Sequence, residues 1–372
     1  MDVPADNGRV KYVDVLKGFI IVTIVFLHII FSSKGDAGSP AVPLQALYFG
    51  LIAFFLISGY YYRPDRGFKA NTGKRFKQLF ISIAICAVVL SIILFVWITI
   101  LGQSPDLDDF ILALQWGFGN NNLFASLDDP LSYPMCGAAV GYYYLWGMLF
   151  AFVIFYALAD HVMDDWRKYC AVIAMLLVIT CVETMYCRYR LPFCIHLAPI
   201  SAAFMFAGAA LAKFQIVKKI DLAKLKDVKY WCIFLVCLIG GFILVFLFPP
   251  GINFDLLYFG KYEGFSVFPY FFEAVMFFVV FLFISKFVSR IPLVSDIFTE
   301  AGKHTLGILL LHGFIASFII AVFCPLTTTS WFPSDLTMMQ RIPIALATVI
   351  ICYCVCRFGP QFIKKIKDGS KE

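Results

Sequence analysis

Apolar segments long enough to cross a lipid bilayer as helices recur about ten times along the 372 residues of this chain. They cover approximately residues 13–31, 43–61, 76–101, 141–159, 169–187, 195–213, 230–248, 266–287, 304–323 and 342–358. The chain is 61% hydrophobic and only 15% charged, whereas soluble domains are nearer half apolar and a quarter charged. The sequence therefore predicts an all-α polytopic membrane protein of about ten transmembrane helices, organised as a single domain over residues 1–372.

Positive charge is distributed unevenly between the segments that connect these helices. If both termini are cytoplasmic, about 25 of the 30 Lys and Arg residues lie on the cytoplasmic side. The longest connection on the opposite side, residues 102–140, carries five aspartates. This asymmetry predicts a multi-pass protein of the cell membrane (inner or plasma) with both termini inside. The net charge of +6 then faces anionic lipid, and nucleic acid is not an expected partner.

The first apolar segment carries three ionisable residues that a simple anchor would avoid: Asp14, Lys17 and His28. At ~100° per residue, the spacing of Lys17 and His28 places them on one helix face, ~16 Å apart along the axis. Asp14 lies one turn before Lys17 on the same side. Lipid disfavours such a polar stripe, so it is expected to face the bundle interior or a wet cavity.

This segment, KYVDVLKGFIIVTIVFLH, resembles the opening of the acyltransferase family 3 membrane proteins. That family begins with an Asp, then Leu-Arg-Gly or Leu-Lys-Gly, then a His near the far end of the first helix. Further similarities follow in the family's order: FFLISGYYY (54–62), GKRFKQLF (73–80), Leu145-Trp146, LPFCIHLAPISAAFMFAGAAL (191–211) and AGKHTL through Leu311-His312. The fourth of these is similar to the branch related to fucose O-acetylases.

The resemblance implies an enzyme that acylates sugars or other hydroxyl-bearing acceptors, with acetyl-CoA as the expected acyl donor. His28 is the first candidate for a catalytic residue, because acyl transfer requires the hydroxyl to lose its proton and His titrates in the suitable range. His28 acting as an acyl acceptor remains the alternative. Glu273 and His312 are further catalytic candidates, since ionisable residues inside predicted membrane spans are functional candidates by default.

Four basic residues near the cytoplasmic side are candidates for contacts with the phosphates of the donor: Lys17, Arg75, Lys77 and Lys74. An Arg guanidinium offers two parallel donors to a phosphate. The alternatives are that Lys17 extends toward the lipid headgroups, with Asp14 as its partner, and that the others only anchor the third helix.

Ser58 and Tyr60 flank Gly59 at the end of the second predicted helix. We interpret this segment as structural, because small residues let membrane helices approach closely. The 12 cysteines lack the spacing of metal ligands, and no metal is expected.

The sequence thus predicts a membrane O-acyltransferase that transfers acetyl from cytosolic acetyl-CoA to a surface glycan or a lipid-linked saccharide. Membrane lipids, the donor and the glycan are the expected partners. Two alternatives stay open: a transporter or flippase of lipid-linked saccharides, and a family member that uses another acyl group, such as succinyl, or a non-sugar acceptor.

Overall fold

The computed structural model describes residues 10–30, 50–100, 106–118, 142–186, 191–215, 227–248, 264–323 and 337–369. These ranges fold into helices and turns, and no strand occurs within them. The α-helices are α1 (Lys11–Ile30), α2 (Gly50–Tyr60), α3 (Gly67–Ile100), α4 (Leu107–Gly117), α5 (Tyr142–Val162), α6 (Trp166–Tyr186), α7 (Ala198–Lys213), α8 (Val228–Leu247), α9 (Val267–Val288), α10 (Pro292–Lys303), α11 (Thr305–Phe323) and α12 (Met338–Gly369). Three short 3-10 helices precede α3, α7 and α9: Pro64–Arg66, Pro192–Leu197 and Gly264–Ser266. The predicted all-α class is confirmed.

Seven helical segments in the described ranges are long and apolar enough to cross a membrane. They are Lys11–Ile30, Pro64–Trp97, Tyr142–Val162, Trp166–Tyr186, Phe193–Lys213, Val267–Val288 and Met338–Gln361. An eighth crossing is formed if α10 and α11, which meet at an angle of 84°, count as one broken span. The predicted second and seventh spans correspond to shorter apolar helices, and residues 31–49 lie outside the described part of the chain. The multi-pass architecture is therefore confirmed, and the count of ten remains a prediction.

Helix α1 is the centre of the bundle, because it contacts α2, α9, α10, α11 and α12. Helix α7 is also central, because most of its residues are buried, whereas few of those of α12 are. Helix α6 exposes apolar side chains along its middle, as lipid requires: Val178, Ile179 and Val182 are examples.

Two pairs of glycines bring helix backbones into direct contact. A Cβ on Gly18 of α1 would lie 1.8 Å from the carbonyl oxygen of Phe298, and one on Gly302 of α10 would lie 2.0 Å from that of Asp14. Gly59 of α2 and Gly208 of α7 form a second such crossing, because each faces a backbone oxygen of the other helix within 2 Å of its ideal Cβ. Small residues permit this close packing of membrane helices.

Two helices differ from the sequence-based boundaries in ways that affect the site. Helix α3 begins at Gly67, about two turns before the predicted start at residue 76, so Lys74 and Arg75 lie within the helix. Helix α10 occupies a segment that was predicted only as a cytoplasmic connection. Its amphipathic sequence packs one face on α1 and leaves Leu293 and Ile297 exposed.

Candidate active site

Asp14 and Lys17 form an ion pair at the N-terminal end of α1. The Nζ of Lys17 lies 2.9 Å from Oδ1 of Asp14, and the Asp14 side chain is almost fully buried. The same Nζ lies 5.6 Å from the centre of the Tyr61 ring, within the range of a cation–π contact. The Lys17 ammonium is therefore held between α1 and the segment that follows α2.

His28 meets His312 of α11 at the other end of α1. The two ring centroids lie 5.2 Å apart, and the ring planes are nearly perpendicular at 84°. His312 is buried, whereas His28 is half-buried. Nδ1 of His312 lies 2.7 Å from the carbonyl oxygen of Leu309. Because a carbonyl oxygen only accepts, this contact places the proton on Nδ1 and leaves Nε2 as an acceptor.

The Nε2 atom of His312 is buried and has no hydrogen-bond partner among the described residues. Leaving a buried polar atom unpaired costs ~1–3 kcal/mol. The histidine pair therefore contains an acceptor atom that a hydrogen-bond donor from a bound molecule would satisfy.

Glu273 lies on α9, which also packs against α1. Its side chain is fully buried, and neither carboxyl oxygen has a hydrogen-bond partner in the described residues. The Phe19 and Phe281 rings of these two helices lie 6.1 Å apart. Glu273 is ~12 Å from Phe281 along α9, and His28 is ~14 Å from Phe19 along α1. Helix α10 begins four residues after α9 ends, and its Phe298 contacts Gly18 in the N-terminal half of α1, so α9 runs antiparallel to α1. Glu273 therefore lies at about the depth of His28.

Arg75 differs from the two lysines beside it. Its guanidinium lies 5.2 Å from the centre of the Phe152 ring on α5, and its Nη1 donates to Oε1 of Gln78 at 3.3 Å. Lys74 and Lys77 are exposed on the outer surface of α3. Of these three candidates, only Arg75 packs against the inner helices.

Sequence reasoning did not single out the side chains that surround Arg75. Tyr62 stacks on Tyr156 with ring centroids 5.7 Å apart, and its hydroxyl donates to Asp160. Aromatic residues near a membrane surface are common, so no sequence signal distinguished Tyr62 from an interfacial tyrosine.

The Ser58 to Tyr60 segment lies where α2 crosses α7. Gly59 supplies the close approach, Ser58 is half-buried, and the Tyr60 ring packs edge-on against Tyr61 at 5.1 Å. The structural interpretation of Ser58 and Tyr60 stays a prediction.

The sequence also did not identify a buried cation near His28. Arg341 on α12 is 6% exposed, and its Nη1 donates to the carbonyl oxygen of Ile30 on α1 at 2.9 Å. A signal was available, because Arg341 directly precedes a predicted apolar span. Among the described residues, no group of three or more His, Cys, Asp or Glu side chains could hold a metal ion.

A comparison with protein-family models matches residues 10–357 to the acyltransferase domain of acyltransferase family 3. The chain belongs to this family. The match extends from the start of α1 to the middle of α12, so it includes every helix that contributes to the site. Searches of the curated proteins and of the solved structures found no significant match. The protein is thus a membrane acyltransferase of family 3.

Proposed function

We propose that this acyltransferase is an O-acetyltransferase of the cell membrane (inner or plasma), with both termini in the cytoplasm. It takes an acetyl group from cytosolic acetyl-CoA and transfers it to a hydroxyl of a surface glycan or a lipid-linked saccharide. The observation that carries this proposal is the His28–His312 pair, at the opposite end of α1 from the Asp14–Lys17 ion pair.

Acetyl transfer from a thioester to a hydroxyl requires one proton to move. The hydroxyl oxygen attacks the thioester carbon, so a C–O bond forms while the C–S bond breaks. His28 takes the hydroxyl proton and passes it to the departing thiolate of coenzyme A, which leaves His28 neutral again. An imidazole suits this exchange because it can accept and release a proton near neutral pH. In the alternative, His28 first accepts the acetyl group itself.

The basic residues near the N-terminal ends of α1 and α3 form the proposed site for the donor's phosphates. Arg75 offers a fork of N–H groups that matches phosphate oxygens. The Lys17 ammonium, now paired with Asp14, contacts the same phosphates in this proposal. Lys74 and Lys77 are exposed, so they contribute long-range attraction for an anionic donor.

Glu273 is the proposed contact for the acceptor. Its buried carboxyl oxygens have no partner in the described residues, and a sugar hydroxyl would donate the missing hydrogen bond. Its depth near His28 supports a role beside the reacting hydroxyl. His312 offers a second acceptor atom in the same layer, and it stays a catalytic candidate on that ground.

Labelled acetyl-CoA supplied to membranes tests this proposal. We expect label in surface glycans with the wild-type protein and none with His28→Ala, while both proteins accumulate equally in the membrane. His161→Ala is the matched control, because His161 is exposed and far from His28 in the sequence. A folded His28→Ala variant that gives near-normal product would contradict the role of His28.

The same assay separates the alternatives. A transporter or flippase would move the saccharide without incorporating label, and labelled succinyl-CoA would replace acetyl-CoA if another acyl group is used. Mass spectrometry of the host's surface glycans, with and without the protein, identifies the acceptor and the modified hydroxyl. Label on a non-sugar product would contradict the glycan assignment while preserving the acyl transfer.

A further inference from the structure

A buried arginine contacts the part of α1 that carries His28. Arg341 lies in the first turn of α12, and its Nη1 donates to the carbonyl oxygen of Ile30 at 2.9 Å, although the two residues are separated by 311 positions in the chain. His28 precedes Ile30 by two residues, which is ~3 Å along the helix axis. The Arg341 contact therefore acts on the same helical turn as the candidate base.

The chemistry of the guanidinium explains why this position needs an acceptor. Burying a charged group without hydrogen-bond partners is costly, and a guanidinium carries five N–H donors and no acceptor. The Ile30 carbonyl supplies one acceptor to this buried cation. A carbonyl oxygen has two lone pairs, so it can accept this bond whether or not a backbone N–H also donates to it.

Exposure distinguishes this contact from a surface anchor. A membrane arginine that only anchors a helix extends its charge toward water and lipid headgroups. Arg341 is 6% exposed and is directed at α1, whereas Arg357 on the same helix is exposed and forms an ion pair with Glu300. The two arginines of α12 therefore have different environments.

Helix α12 also packs against α11, the helix that carries His312. The Sγ of Cys356 packs against Gly307 of α11, where an added Cβ would lie 2.4 Å from the sulfur. Helix α12 thus contacts both α1 and α11, and the Arg341 bond is one of its contacts with α1, close to His28.

We propose that Arg341 is a positioning residue that holds the turn of α1 around Ile30, and so keeps His28 against His312 and the bound substrates. It touches neither substrate, and it acts through His28. This inference rests on the proposed function, because it assigns Arg341 a role in the same reaction.

The test compares variants of Arg341 with one of Arg357 in the full-length protein in membranes. Arg341→Met keeps the volume of the aliphatic stem and removes the N–H donors. Arg341→Lys keeps the positive charge but has fewer N–H donors. Arg357→Gln is the matched control. For each variant we measure the amount of folded protein, kcat with labelled acetyl-CoA, and KM for the donor.

Loss of the contact should lower kcat and leave donor binding intact. A displacement of ~1 Å at a reacting group costs up to ~100-fold in rate, so Arg341→Met should lower kcat by ~30- to 100-fold with KM for acetyl-CoA within about twofold of wild type. Arg341→Lys should recover part of the lost kcat, and Arg357→Gln should retain the wild-type value. If Arg341→Met does not accumulate, Arg341→Lys carries the test with an intermediate kcat and unchanged donor KM.

Three results would overturn the inference. The first is a wild-type kcat in folded Arg341→Met, and the second is a fall in kcat for Arg357→Gln as large as that for Arg341→Met. The third is a loss of kcat/KM in Arg341→Met that comes entirely from a higher KM for acetyl-CoA. Failure of the proposed function looks different. In that case the wild-type protein itself transfers no label from acetyl-CoA.

Discussion

Substitution of Gly18 by alanine tests whether the contact between α1 and α10 shapes the site. The added Cβ would lie 1.8 Å from the carbonyl oxygen of Phe298, 2.7 Å from its carbon and 3.0 Å from the nitrogen of Gly302. Non-bonded heavy atoms prefer ~3.5 Å, so the two helices must separate by ~1.5 Å. All three obstructing atoms belong to the backbone, and no side-chain rotation relieves the overlap.

The expected magnitude follows from two opposing terms. Alanine in place of glycine stabilises a helix interior by ~1 kcal/mol, whereas overpacking costs ~1–3 kcal/mol and occasionally more. Because the overlap is with backbone, we expect the upper end of that range and a net loss of ~2 kcal/mol. Gly73 of α3 is the matched control, since an added Cβ there meets nothing within 4 Å. Gly73→Ala should therefore be neutral or stabilising.

The assay is the thermal unfolding temperature of purified protein in detergent, with acetyl transfer measured on the same samples. Gly18→Ala should unfold at a lower temperature than wild type, and Gly73→Ala at the same or a higher one. Helix α10 continues through the 84° bend into α11, so its displacement also moves His312 relative to His28. We therefore expect kcat of Gly18→Ala to fall by ~10- to 100-fold. Equal unfolding temperatures and activities of the two variants would refute this reasoning.

Two further substitutions separate the donor end of the site from the acceptor end. Arg75→Ala should raise KM for acetyl-CoA by ~10-fold, because a charge-assisted hydrogen bond contributes ~1.5 kcal/mol or more. Lys74→Ala should keep KM for acetyl-CoA within about twofold of the wild-type value. Equal effects of the two substitutions would contradict the distinction between Arg75 and Lys74. Glu273→Gln should lower kcat/KM for the acceptor by ~10-fold and leave KM for acetyl-CoA unchanged. Wild-type kinetics for both substrates would contradict a role for Glu273 in acceptor binding.

The sequence by itself determined the properties that arise from local physical chemistry. Long apolar segments can only be stable across a bilayer as helices, and this established the multi-pass class before any contact was known. The period of the helix placed Asp14, Lys17 and His28 on one face of α1, and the i to i+3 spacing made the Asp14–Lys17 pair accessible from the sequence. The order of short motifs along the chain was enough to indicate the family, which the match over residues 10–357 confirms.

The packing of different helices was accessible only from the tertiary structure. His28 and His312 meet because α11 folds back against α1 after the bend at α10, and no local pattern encodes that angle. Lys74, Arg75 and Lys77 carry similar charge in the sequence. Only the orientation of α3 against α5 directs Arg75 inward and leaves the lysines exposed.

The glycines of α1 and α10 also show the difference between what the sequence predicts and what only the tertiary structure reveals. Gly18 is visible in the sequence as part of a Leu-Lys-Gly motif, yet its role depends on Gly302 and Phe298, which approach from the other end of the chain. Arg341 is likewise an ordinary residue beside an apolar segment until the structure places its guanidinium on the Ile30 carbonyl. The physical reason is common to both: the helical period orders residues along one helix, whereas contacts between helices depend on how complete surfaces fit together.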